Sequence, residues 1–113
     1  MIAAMDRATA LNLLGEHKPT LAQRFGVQRL AIFGSVARDA ARADSDVDVL
    51  VGFDRVPTPE AFFGVHFYLA DLLDRAVDLV TETALRPQLR PCVEREAIAI
   101  ADSIARRLTE TRA

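Results

Sequence analysis

The sequence predicts an α/β (α+β) domain in which a small mixed β-sheet is flanked by helices. Three observations lead there. The segments VQRLAIF, DVDVLVGF and AVDLVT have the length and the branched, apolar composition of strands. The stretches before and between them show helical apolar spacing with recognisable start and stop residues. The 113 residues, 50% hydrophobic and 27% charged, suit a single globular domain over residues 1–113, with no repeat, low-complexity tract or linker.

Taken in order, residues 6–14 (DRATALNLL) suit a helix with Asp6 as N-cap and Gly15 as its stop. A short helical turn, LAQRF, follows Thr20 and ends at Gly26, where glycine tolerates the positive φ of a helix terminator. VQRLAIF (27–33) is the first strand, ending at Gly34, and a short helix is expected over residues 36–42 beginning at Ser35. DVDVLVGF (46–53) alternates carboxylate and valine before turning wholly apolar, as in a strand whose first end faces solvent. Thr58-Pro59-Glu60 then opens a helix that runs to about Leu73: a capping hydroxyl, a proline in the first turn, and an acid near the positive end of the dipole. AVDLVT (76–81) is the third strand. ALRPQLRPCVEREA is expected to be helical but interrupted by Pro87 and Pro91, and AIAIAD (97–102) fits either a short edge strand or part of a last helix.

Charge and cysteine content narrow the function classes. A net charge of −2 without a basic stripe gives no footprint for direct nucleic-acid binding. Cys92 is alone and reads as a small packing residue. No signal peptide is visible, and no apolar run reaches the roughly 18 residues of a membrane span, so a soluble, cytoplasmic protein is expected. His17 and His66 are not spaced with each other or with Cys92 as zinc ligands. Arg86 and Arg90, on one face at helical spacing, suit either surface charge or a nucleotide or partner contact, and Arg106, Arg107 and Arg112 read as a solvated tail. In FFGVHFYLADLL, Phe62, Val65, Leu69 and Leu72 mark one helical face for the core. Phe63, Phe67 and Tyr68 spread apolar surface beyond it, which suits either core packing or contact with another chain.

The chemistry-bearing residues are carboxylates. Asp46 and Asp48 lie two apart in a strand pattern, so their side chains leave the same face and repel each other unless water or a cation intervenes. Hard cations such as Mg²⁺ take oxygen ligands and often accept one or two carboxylates plus substrate phosphates. Asp78 interrupts the apolar run VDLV, where a lone carboxylate is awkward to bury. If its strand lies beside residues 46–51, Asp78 completes a three-carboxylate cluster able to hold two cations. At the end of the first strand, Gly34 permits close backbone approach to a phosphate, Ser35 offers a hydroxyl, and Arg38 adds a charge-assisted donor. Each signal alone has an ordinary meaning: a solvated strand end, a capped turn, or a partner for Arg75. Their order and spacing point further.

FGSVARDAARADSDVDVLV, with Gly-Ser, ten residues and then Asp-x-Asp, resembles the signature of the nucleotidyltransferases of the DNA polymerase β superfamily. It is most similar to their minimal nucleotidyltransferases. The likeness spans roughly residues 20–100, and VDLVTETALRPQLRPCVEREAI resembles that family's third-carboxylate strand and following helix. The resemblance implies that Asp46, Asp48 and Asp78 are catalytic metal ligands and that Gly34 and Ser35 bind the nucleotide phosphates, with Arg38 beside them. It implies Mg²⁺ or Mn²⁺ as cofactor and ATP as donor. It also implies transfer of AMP to a hydroxyl of a partner, with the chain acting as antitoxin to a HEPN-domain ribonuclease toxin in a hetero-oligomer. The alternative is a non-catalytic antitoxin that neutralises its partner by binding alone. One departure favours it: the family often has glycine after the alanine-arginine pair, where this chain has Asp39. An antibiotic-modifying enzyme would need an acceptor domain absent here. A phosphatase with an Asp-x-Asp nucleophile would need an apolar strand before Asp46, where the chain reads ARADS.

Overall fold

The computed structural model describes residues 6–40, 45–85, 87–88 and 90–100. Helix α1 (Arg7–Phe25) begins where the Asp6 carboxylate accepts the Thr9 N–H at 2.7 Å. It ends at Gly26, whose φ of 77° turns its N–H back to the Ala22 carbonyl. The expected break at Gly15 does not occur, and α1 is one helix through both Gly15 and Pro19. Pro19 forfeits its bond to the Gly15 carbonyl, and glycine costs about 1 kcal/mol of propensity. Burial of Ala10, Leu14 and Leu21 outweighs both, since each fully buried leucine contributes roughly 1.5–3 kcal/mol.

Strands β1 (Val27–Phe33), β2 (Val47–Phe53), β3 (Val77–Thr81) and β4 (Ile98–Ala99) form one sheet in the order β3-β2-β1-β4. β1 runs antiparallel to β2 and to β4, whereas β2 and β3 are parallel. A parallel pair needs a crossover, and helix α3 (Pro59–Leu73) supplies it. Thr58 caps α3 by accepting the Ala61 N–H at 3.1 Å. The strand alternation places Leu30, Ile32, Val47, Val49 and Val51 in the core with Leu14 and Leu21 of α1 and Val65, Leu69 and Leu73 of α3. Both helices therefore cover one side of the sheet. Asp48 and Asp78 alternate with buried valines and belong to the other side.

The remaining connections depart from expectation in definable ways. Helix α2 is only Gly34–Ala37, because Asp39 adopts a φ of 60° that a helix cannot continue through. Residues 41–42 of the expected longer helix lie outside the described residues. After β3 a 3-10 turn (Glu82–Ala84) follows, and helix α4 is confined to Arg90–Glu96 with Pro91 tolerated in its first turn. Residues 98–99 resolve as an edge strand, pairing Ile98 with Ile32 and Ala99 with Ala31. Tyr68 is not spare surface: its hydroxyl lies 2.6 Å from His17 Nδ1, and the Arg24 guanidinium stacks over its ring, tying α3 to α1. Cys92 is exposed rather than packed. Arg86, Arg106, Arg107 and Arg112 lie outside the described residues. Among the described residues no helix is long and apolar enough to cross a membrane.

Candidate active site

The expected site residues converge at one end of the sheet. Asp48, second in β2, lies opposite Phe33 at the end of β1 and opposite Asp78 in β3. The parallel register of β2 and β3 thus brings together two carboxylates that stand 30 positions apart in the chain. Asp46 precedes β2 and is exposed, Asp78 is exposed, and Asp48 is half-buried between them.

Gly34 follows Phe33 and so sits on the other flank of Asp48. Its φ is 72°, a conformation that strains any residue with a Cβ, and a Cβ there would collide with Asp48 Oδ2. Glycine serves twice here: its backbone takes the turn without strain, and its missing side chain leaves the space in which the carboxylate rests. Ser35 follows in α2, and Arg38 caps that helix with its N–H on the Gly34 carbonyl.

The electrostatics show what such a site attracts. Burial pushes the Asp48 carboxyl above the ordinary aspartate range, and the charges of Asp78 and Asp46 push it further, with Arg38 opposing and Glu96 adding to the rise. Asp48 is held where its ionised form wants a cation. Among the described residues no three His, Cys, Asp or Glu side chains close into a complete metal-binding set. The carboxylates form an open cluster, which fits a hard cation that draws its remaining ligands from water and phosphate better than a caged structural metal.

Two further placements bear on the site. The Asp39 carboxylate accepts the Arg7 N–H at 3.1 Å, so it is committed to the start of α1 rather than to the phosphate side of the loop. Its positive φ shows why glycine suits this position. Glu96, at the end of α4, accepts from Gly34 N–H at 2.8 Å and from Arg38 Nη1 at 2.9 Å. Sequence reasoning missed Glu96. Its partners lie about sixty residues earlier, and only the docking of β4 beside β1 brings it there. His66, set aside as a metal ligand, donates from Nε2 to the Val77 carbonyl at 2.8 Å and holds α3 against β3 beside Asp78.

Comparison with known proteins identifies this sheet, with its paired carboxylates at one end and a glycine turn on the adjoining strand, as a nucleotidyltransferase fold. The family model described as "Nucleotidyltransferase domain" matches residues 14–100. The protein adenylyltransferase MntA of Thermococcus cleftensis is 39% identical over 89 residues, covering 79% of this chain and 90% of that one. A Methanocaldococcus jannaschii chain provisionally named a protein adenylyltransferase is 38% identical over 90 residues, covering 79% and 92%. A solved structure assigned provisionally to the minimal nucleotidyltransferases superposes with a TM-score of 0.71 at 44% identity, covering 83% of this chain and 95% of that one. The MNT antitoxin from a complex with the tri-AMPylated Shewanella oneidensis HEPN toxin shares the fold, with a TM-score of 0.59 at 19% identity over 91% and 78% of the two chains. The chain belongs to the nucleotidyltransferase domain family and is an enzyme of that class.

Proposed function

We propose that this protein transfers AMP from ATP to a hydroxyl of a HEPN-type ribonuclease toxin, and that it acts in this way as the toxin's antitoxin. The observation that carries the reading is the register of Asp48 and Asp78 on adjacent strands, with the Gly34 turn fitted against the same Asp48 carboxylate. Asp46, Asp48 and Asp78 are the residues to hold Mg²⁺ or Mn²⁺, and the open cluster, in which Asp78 and Asp46 both raise the cost of ionising Asp48, suits such an ion. When bound, the ion neutralises charge that builds on the transferring phosphoryl group. The Gly34 N–H and the Ser35 hydroxyl orient the triphosphate, and the Arg38 guanidinium adds a charge-assisted contact.

The relatives named as protein adenylyltransferases support AMP as the transferred group and a protein as acceptor. The antitoxin of the HEPN complex supports the choice of partner through its fold. Phe63 and Phe67 lie on α3 with 52% and 67% of their surface exposed, an apolar pair suited to a protein contact. Asp39 was the feature favouring an antitoxin that works by binding alone, and with its carboxylate bound to Arg7 it lends that alternative no support.

The test is incubation with ATP, Mg²⁺ and the cognate HEPN-type toxin, followed by intact-mass measurement of the toxin. Wild type adds one or more AMP groups and Asp48→Asn adds none. Equal silencing of the toxin by both proteins without a mass gain would refute the catalytic reading.

A further inference from the structure

Glu96 closes α4 beside the site, and the transfer chemistry proposed above gives it no role. One oxygen of its carboxylate takes hydrogen bonds from both the Gly34 N–H and the Arg38 guanidinium. These are two of the three groups assigned above to the phosphates, and an N–H has a single hydrogen to donate. Gly34 cannot give a full, linear hydrogen bond to Glu96 and to a phosphate oxygen at once. The Glu96 charge also reaches Asp48, adding to the negative field that Asp78 and Asp46 already create there. A carboxylate in this position repels any triphosphate that approaches Gly34.

We propose that Glu96 is an internal stand-in for a phosphate of the nucleoside triphosphate: it closes the site in the free protein and must leave it for the triphosphate to enter. The exchange requires little of the fold. The Glu96 side chain is 31% exposed and that of Arg38 55%, so the carboxylate can rotate into water without opening the core. The Arg38 Nη1 donor it releases passes directly to the incoming anion, which makes the step an exchange of one ion pair for another. In the free protein the same contact satisfies the Gly34 N–H and pairs the Arg38 charge. The proposal rests on the reading of Gly34, Ser35 and Arg38 as the phosphate-binding group.

The protein is titrated calorimetrically with inorganic tripolyphosphate, which probes the phosphate site without a base, and with a non-hydrolysable ATP analogue. Glu96→Gln should bind tripolyphosphate about tenfold more tightly than wild type, the scale of a released hydrogen bond to a charged group. Glu96→Asp, too short to reach both donors, should shift affinity the same way and serves if the glutamine variant folds poorly. Arg38→Ala, made in the Glu96→Gln background, must weaken binding again. Unchanged or weaker tripolyphosphate affinity on loss of Glu96, with Arg38→Ala still weakening it, overturns the stand-in role and leaves the phosphate site intact. If neither Arg38→Ala nor Ser35→Ala alters affinity, the phosphate-site reading itself fails and takes the Glu96 role with it.

Discussion

Gly34→Ala isolates the contact on which the site depends. In the wild-type protein Gly34 has a φ of 72°, and its missing side chain leaves the space that Asp48 Oδ2 fills. An alanine held in the left-handed region costs about 1–2 kcal/mol. The collision with Asp48 is with the far end of a side chain, so the carboxylate moves and the fold survives. For a domain of this size the backbone cost corresponds to a melting-temperature loss of about 5–15 °C. Activity should suffer more. Asp48 has Asp78 on its other side, so any shift away from the new methyl group moves it within a like-charged neighbourhood. Misplacement of a catalytic group by on the order of 1 Å costs roughly 100-fold in rate. Thermal melts and AMP transfer, measured at a temperature where both proteins are folded, read the two effects separately. In a Gly34→Ala/Asp48→Ala double variant the collision vanishes and only the backbone strain remains, so the two stability changes should not add. A variant that loses the expected stability yet transfers AMP within about threefold of wild type would refute the idea that this apposition serves catalysis.

Other outcomes follow from single observations. The Asp48 carboxyl is held above its ordinary range by burial and by Asp78, so the folded protein binds its proton more tightly than the unfolded chain does. Stability then falls as pH rises from about 4, the unfolded value, through the raised folded value. Asp48→Asn should therefore melt higher than wild type at neutral pH in chelator, with the advantage disappearing on acidification and shrinking when Mg²⁺ is added to both. An equal or lower melting temperature for the variant at neutral pH would count against the electrostatic account. Asp39 combines a φ of 60° with a hydrogen bond to Arg7. Asp39→Gly should change stability by less than about 1 kcal/mol, since relieved strain offsets the lost bond, whereas Asp39→Val should cost about 2 kcal/mol in urea unfolding. Phe63→Asp, at a residue 52% exposed, should leave the melting temperature and tripolyphosphate binding near wild type while weakening toxin association in pull-down or calorimetry. Undiminished association would move the partner surface elsewhere.

Much of this fold was readable because local chemistry governed it. The strand β1 over 27–33, the helix α3 from Thr58 and Pro59 to Leu73, the Asp6 cap and the Gly26 stop all follow from periodicity, capping and positive φ, which act within a few residues. The carboxylates and the Gly34-Ser35 pair were likewise visible as residue types at a set spacing. The interruption expected at Gly15 was overruled because burial of the α1 face outweighs a weak local preference. The fate of residues 98–99 was open because two residues carry no period, and pairing with β1 decided it. That Asp78 stands in register with Asp48 depends on parallel pairing across the α3 crossover, and that Glu96 meets Gly34 depends on β4 docking on the opposite edge of β1. Both are contacts between distant parts of the chain. Sequence patterns determined which groups this protein has to work with, and tertiary packing alone determined which of them meet, because no local preference encodes the approach of side chains thirty or sixty residues apart.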